Sequence, residues 1–270
     1  MAVNNQINTN EWLSLNRKSW DERTNSHVNS DFYNLSDFKK KIDSLNCIEL
    51  DLLGNIENES LLHLQCHFGM DSLSLEKKGA KVTALDFSPN AIEFANALKK
   101  ELGMDTHFVC ADVYDTNKVV HSKFQTIFSS YGIVGWLPNL EKWANVISKQ
   151  LLKGGRFILV DFHPTLWMFD DEFKSISYSY FNDEPYIEIE NGSYADRKNK
   201  KETASIWWSH SLSEIMNAFL KQNLKLVKFQ EFNYAPYDCF KNTIEFEPNK
   251  FRIAHLDKKI PMVYAMVFES

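Results

Sequence analysis

The sequence predicts an α/β protein with a doubly wound, mostly parallel sheet, and three observations predict it. Between Leu61 and Phe162, short apolar runs alternate with segments of helical period, giving five strands. Helix start and stop residues fall at the junctions between them. Beyond His163 the rhythm changes to period-two segments, one capped helix and two last strands, making seven strands for the main sheet.

Taken in order, residues 1–10 are polar and are expected to be loose. A helix follows from Glu11 to about Thr24, with Trp12, Leu15 and Trp20 on its apolar side, then a short helix in DFYNLSDFKKKI capped near Ser36. The polar NIENES, Asn55–Ser60, marks the boundary before the main fold. SLLHLQC reads as the first strand and MDSLSLEKK as a helix closed by Gly79. KVTALD is the second strand. The next helix has Ser88 as N-cap, Pro89 at its first position and Gly103 past its end. DTHFVC and FQTIFSS are strands three and four. NLEKWANVISKQLLKGG is a helix that Gly154–Gly155 should stop, and RFILVDF is strand five.

From His163 to about Trp208, the turn signals Asp183-Glu184-Pro185 and Asn191-Gly192 separate alternating segments. SISYSYF and YIEIE are expected to pair as a β-hairpin. SLSE, Ser211 to Glu214, is a capping-box pattern opening a helix with Leu212, Ile215, Met216, Phe219 and Leu220 inward. KLVKFQEF and MVYAMVF are the last strands, joined by a long polar and aromatic connection. The chain thus divides into an N-terminal helical part (1–55), a core (56–163), an insertion (164–210) and a C-terminal part (211–270), within a single domain.

Composition narrows the function. Of 270 residues, 44% are hydrophobic and 14% aromatic, which supports a sizeable core. The net charge of −6 argues against a protein that grips nucleic acid mainly through phosphates. No apolar run approaches a membrane span, and the N-terminus lacks a signal layout. Four scattered cysteines do not suggest a disulfide framework, so a cytoplasmic setting is expected.

Ligands on such sheets bind beyond the carboxyl ends of the strands, near the switch point. Those ends carry Gln65 to Gly69, Asp86, Asp112, Ser129-Ser130-Tyr131, Asp161 and His163. Asp86 lies 21 residues after Gln65, where a ribose-binding carboxylate is expected in a βαβ unit, and Phe87-Ser88 would flank an adenine.

These residues in this order resemble a class I S-adenosylmethionine-dependent methyltransferase, with the Rossmann-like fold of that family. Its first motif, an acid followed by L-G-C-G-x-G, is matched by His63-Leu64-Gln65-Cys66-His67-Phe68-Gly69. Its second-strand acid is matched by Asp86 in LDFSP, and its adenine-contacting pair by Asp112-Val113 in CADVYD. FQTIFSSYGIVGWLPN and LLKGGRFILVDF resemble the family's fourth-strand region and next motif. The likeness covers roughly Leu61 to His163, and the tail suits the family's antiparallel final strand. It implies S-adenosylmethionine as cofactor, with Gln65, Cys66, His67 and Gly69 at its methionine end. Ser129, Ser130 and Tyr131 would lie close by. The N-terminal helix, with Trp20 and Arg23, resembles the lids of small-molecule methyltransferases. Three departures stand out: His63 replaces the acid, and Gln65 and His67 replace glycines that tolerate positive φ. The variant LQCHFG is similar to turns in uncharacterised bacterial methyltransferase-like sequences.

Other readings compete for some of these residues. By type, His63, Cys66 and His67 are metal ligands. A strand alternates its side chains, however, which starts His63 and Cys66 on opposite faces, so no metal is expected. Cys66 suits a small buried hydrophobe, and Asp112 a turn former. His163 and His210 are candidates for a general base, the plainer readings being a loop hydrogen bond and a helix-start residue. Trp12, Trp20, Trp207 and Trp208 suit either a substrate wall or packing. The Asn/Asp-Pro-Pro-Tyr/Phe signature of amino-group DNA enzymes is absent at strand four, and no Pro-Cys dipeptide marks a cytosine-C5 nucleophile. No three-glycine dinucleotide fingerprint is present either. The expectation is methyl transfer to a small molecule by a monomer or homodimer, with no nucleic-acid or membrane partner. The alternative is a non-catalytic binder with a repurposed site.

Overall fold

The computed structural model describes residues 9–181, 184–197 and 202–270. The expected loose segment therefore lies outside it up to residue 8, as does Asp183 of the expected turn, whereas Thr9 and Asn10 already belong to the first helix. Three helices come first: α1 (Thr9–His27), α2 (Leu35–Lys41) and α3 (Cys47–Leu53). The core then runs β1 (Ser60–Leu64), α4 (Met70–Lys77), β2 (Lys81–Asp86), α5 (Pro89–Leu102), β3 (His107–Cys110), α6 (Thr116–Val119), β4 (Phe124–Ser130), α7 (Leu140–Gln150) and β5 (Leu151–Phe162). The remainder is β6 (Tyr186–Asn191), β7 (Glu202–Trp207), α8 (Leu212–Leu220), β8 (Lys225–Phe232), β9 (Thr243–Glu247), β10 (Lys250–Ile253) and β11 (Val263–Glu269).

Seven strands form one sheet in the order β3-β2-β1-β4-β5-β11-β8. The first five are parallel, and β11 runs antiparallel to both β5 and β8. This is the doubly wound, mostly parallel seven-stranded sheet expected from the sequence. Period-two alternation sorts the strand side chains onto two faces. Leu61, Ala84, Phe128, Ile158 and Val160 join the core packed under α2–α5. Leu62, Leu64, Leu85, Ile127, Phe157 and Leu159 join the core under α7 and α8, where Trp143 and Phe219 are fully buried. The order reverses between β1 and β4, so the carboxyl ends of these neighbours form the switch-point crevice.

The structure corrects several local expectations. The cap of α2 is Asn34, whose side chain accepts from the Asp37 N–H, rather than Ser36. α3 was not foreseen, because its seven residues are too few to display a helical period. α7 stops at Gln150, and the chain passes directly into β5, so Gly154–Gly155 lie within a strand. A Cβ on Gly155 would come within 2.8–3.0 Å of three carbonyl oxygens, so close backbone approach explains the glycine better than helix termination.

The hairpin partner also differs. YIEIE pairs with β7, in register Tyr186↔Trp207 to Asn191↔Glu202, while SISYSYF contributes only the bridge Phe169↔Ile176. The β7 strand is anchored from outside the hairpin: the Asn16 amide on α1 both donates to and accepts from the Ile206 backbone, at 2.8 and 2.9 Å. Alternation identifies a strand, but that tertiary clamp selects its partner. The β9–β10 hairpin, turned at Asn249 with positive φ, lies in the long connection before β11.

Candidate active site

The site grows from the turn after β1. Gln65, His67 and Gly69 all have left-handed φ, at 56°, 51° and 86°. For side-chain-bearing residues this conformation costs on the order of 1–2 kcal/mol each, and it persists only where surroundings enforce it. Asp86 is the enforcing group. Its Oδ2 accepts the His67 N–H at 2.8 Å and its Oδ1 accepts the Ser88 N–H at 2.9 Å, tying the β1 and β2 turns together. The Cys66 N–H adds a bond to Leu85 O at 3.0 Å. Gly69 cannot be relaxed in the same way as its neighbours. A Cβ there would sit 2.6 Å from the Phe108 ring and 3.0 Å from Ala95.

The turn after β4 is built on the same plan. Tyr131 has φ 42° and Gly132 φ 72°. The buried Asp161 carboxylate, from β5, accepts the N–H groups of Gly132, of Ile133 at 3.2 Å and of Val134 at 2.9 Å. It also accepts its neighbour Phe162 N–H at 2.7 Å. Gln65 Nε2 donates to Ile133 O at 3.2 Å, so the two turns are joined directly.

Between and above these turns lies a cavity of about 390 Å³. Of the residues singled out from the sequence, Gln65, Cys66, His67, Gly69, Asp86, Phe87, Asp112, Val113, Ser130, Tyr131 and Trp20 all line it. Ser88 does not; its hydroxyl caps α5 at Ala91 N and donates to Asp21 Oδ1 at 2.5 Å. Ser129 is buried beneath the cavity rather than at its wall. Asp112 lines the cavity while accepting the Tyr114 N–H at 2.9 Å, the bond of its turn-forming reading. Trp20 stands edge-on to His67 and to Trp136, each at 5.4 Å between ring centroids.

His163 and His210 are not brought to the cavity. His163 has its ring nitrogens on Thr165 Oγ1 and Glu231 Oε1, both at 2.9 Å, and caps the short 3-10 turn Pro164–Met168. His210 bonds Leu137 O at 2.6 Å and faces a separate cleft beside Glu141 and Glu214. The plainer readings of both describe their surroundings. His63, in place of the motif acid, is buried against Phe128 with Nδ1 2.8 Å from Ser72 Oγ. Among the described residues no cluster of His, Cys, Asp or Glu has the geometry to hold a metal.

Burial dominates the electrostatics. It pushes Asp86, Asp161 and Asp71 up to about 6, and Glu49 up to about 7. It holds His63 down to about 3, and His67 well below its ordinary value. Asp71 and Glu49 were not singled out from the sequence. Asp71 sits two residues past Gly69 on the first turn of α4, lines the cavity, and accepts from Ser44 Oγ at 2.5 Å. Glu49 accepts the Tyr131 hydroxyl at 2.9 Å, and Asn46 reaches its other oxygen. Position relative to the glycine turn was the available signal for Asp71; Glu49 had none.

The Glu49 shift has a measurable consequence. Its carboxyl is raised in the folded state, so its favourable contribution is complete below the unfolded value and is lost as pH rises through 7. Glu49→Gln should therefore gain on wild type by about 2–3 kcal/mol between pH 5 and pH 8 in urea unfolding. A constant difference across that range would show that Glu49 does not carry the proton.

Comparison with known proteins agrees with this geometry. A family model described as "Methyltransferase domain" matches residues 61–155. Among curated proteins, none matches the chain significantly. Among solved structures, an S-adenosylmethionine-dependent methyltransferase from Clostridium acetobutylicum ATCC 824 superposes with TM-score 0.57 at 16% identity, covering 88% of this chain and 97% of that one. One from Mesorhizobium loti gives TM-score 0.53 at 18% identity, over 82% and 94% of the two chains. The geranyl diphosphate C-methyltransferase of Streptomyces coelicolor A3(2), solved with Mg2+, geranyl diphosphate and S-adenosyl-L-homocysteine, gives 0.54 at 13% identity, over 87% and 78%. The fold is thus that of the S-adenosylmethionine-dependent methyltransferases on which the chain superposes. Residues 61–155 carry the match to a methyltransferase domain, and S-adenosylmethionine is the cofactor named for the first two of these structures.

Proposed function

We propose that the chain transfers a methyl group from S-adenosylmethionine to a small-molecule acceptor. The observation that carries this reading is one continuous cavity joining the β1 turn, Asp86-Phe87 and Asp112-Val113 to the β4 turn at Ser130-Tyr131. The residues present fit the cofactor. Gln65 Oε1 and His67 Nε2 are buried with no hydrogen-bond partner among the described residues, so polar atoms stand bare where a methionine end would lie. The Asp86 carboxylate takes the backbone N–H groups of His67, Ser88 and Phe87 and keeps a lone pair for a ribose hydroxyl. Phe87 and Val113 would flank the adenine, with Asp112 at its edge.

When bound, the cofactor supplies a methyl group on an electron-poor sulfur. The chain supplies position, and alignment alone accounts for much of the acceleration in an in-line displacement. Trp12, Leu13, Asn16 and Trp20 of α1 form one wall and keep water out, which supports a covering role for residues 1–55. Tyr194 reaches the cavity from the 164–210 segment, which supports the same role there. An acceptor that must lose a proton finds Asp71 at the wall, whereas His163 and His210 do not reach it.

Calorimetry with S-adenosylmethionine, S-adenosylhomocysteine and NAD tests the reading. The first two should bind and NAD should not. Absence of heat with both adenosyl ligands would sink it; binding of both without turnover on any acceptor favours a binder.

A further inference from the structure

The half of the cavity beyond the β1 turn carries an unusual polarity. The wall of the whole cavity includes Asp37, Asp43, Asp71, Asp86 and Asp112, and no Lys or Arg among the described residues. Burial holds the imidazoles His63 and His67 neutral, so they supply no positive charge. Asp86 and Asp112 belong to the cofactor half, and Asp37 is paired with Lys41 at 2.8 Å. Asp71 remains at the wall with the buried Glu49 close behind and Asp43 exposed, and among the described residues no Lys or Arg pairs with any of the three. Buried carboxylates without a counter-cation are costly unless a ligand or a proton compensates them.

The hydrogen-bond donors at this end already face inward on the carboxylates. Ser44 Oγ and Ser130 donate to Asp71, Asn46 Nδ2 donates to Glu49, and Tyr131 gives its one hydroxyl proton to Glu49. Toward the cavity, the Tyr131 oxygen therefore offers lone pairs only. The adjoining wall is aromatic. Tyr237 stacks edge-on to Tyr131 at 5.3 Å and Phe32 to Tyr237 at 5.6 Å, while Tyr33 and Tyr194 share a hydroxyl contact of 2.5 Å. His67, with its buried Nε2 bare, has its ring 5.6 Å from Tyr33 and closes the side toward the cofactor turn. Acceptor-rich polar atoms beside ring faces recognise a group that brings donors and positive charge.

We infer that the acceptor molecule carries a cationic amine on an aromatic or other apolar body, the charged amine being the group by which it is held and, having no lone pair, not the atom that takes the methyl. Its ammonium group is held by Asp71 and the Tyr131 oxygen, and its body lies among Phe32, Tyr33, Tyr194 and Tyr237. Carboxylate and phosphate acceptors are refused by the same charges. The inference rests on the cofactor reading above for which half of the cavity is left to the acceptor.

The test uses three probes of matched size, phenethylamine, 2-phenylethanol and phenylacetate, titrated calorimetrically into the full chain with S-adenosylhomocysteine present. Phenethylamine should bind at least about tenfold more tightly than the alcohol, and phenylacetate more weakly than either. Asp71→Asn should bring the amine down to the affinity of the alcohol while leaving S-adenosylhomocysteine affinity within about twofold of wild type. Equal binding of the three probes, preference for phenylacetate, or no phenethylamine binding at millimolar concentration overturns the inference. So does an amine preference that survives in Asp71→Asn; should that variant not fold, the wild-type ranking decides. Failure of S-adenosylhomocysteine to bind, with the amine preference intact, removes the cofactor reading and leaves the amine site standing.

Discussion

Asp161→Ala should lower the stability of the protein by about 3–5 kcal/mol, read as a shift of the urea midpoint. The reason lies in how many groups depend on one carboxylate. Gly132, Ile133 and Val134 all direct their N–H groups at it, from a turn in which Tyr131 has φ 42°. Alanine leaves those donors buried and unpaired, and nothing then offsets the strain at Tyr131. Asp161→Asn keeps one acceptor oxygen and should recover part of the loss. Near wild-type stability in the alanine variant would show that the turn is held by packing alone. Loss of amine-probe binding in the asparagine variant, with S-adenosylhomocysteine still bound, would place Asp161 as a positioning residue for Tyr131.

Asp86→Ala should weaken S-adenosylhomocysteine binding by about 2–4 kcal/mol in calorimetric titration. Two losses combine there. One is the lone pairs proposed for the ribose; the other is the pair of bonds, at 2.8 and 2.9 Å, that hold His67 and Ser88 in place. Asp86→Asn retains one acceptor and should fall between. Unchanged affinity in the alanine variant would refute the ribose role. A fall in melting temperature with unchanged affinity would leave Asp86 as a clamp for the turn and nothing more. The left-handed His67 is tolerated because Asp86 reaches back to accept its N–H.

The sheet was legible in the sequence because its signals are local. Alternation in KVTALD and FQTIFSS, and the Ser88-Pro89 and Gly103 brackets around α5, each act within a few residues. Spacing likewise placed Asp86 and Asp112 at the ends of adjacent strands. Positive φ at residues 65 and 67 was readable from the glycines that the motif would normally have there. What local signals could not supply was pairing and convergence. The partner of β6 was settled by the Asn16 clamp on Ile206, which lies 190 residues away in the chain. Asp71, Glu49, Tyr131 and Tyr237 meet at one pole from four separated segments, and no spacing rule connects them. His163 and His210 show the converse. Their residue type and their position near a strand end or a helix start suggested chemistry, but their rings are engaged elsewhere.

By itself, the chain of residues determined the doubly wound sheet, the position of its switch point and the acids Asp86 and Asp112 at the strand ends beside it. Those features follow from periodicity and caps, interactions that neighbours in sequence make with one another. Only the tertiary structure decided which side chains share the cavity, which carboxylates are stripped of water, and which hydroxyl protons are directed away from it. Desolvation and long-range hydrogen bonds depend on segments brought together by folding, and they set the charge of the cavity wall around Asp71 and Glu49.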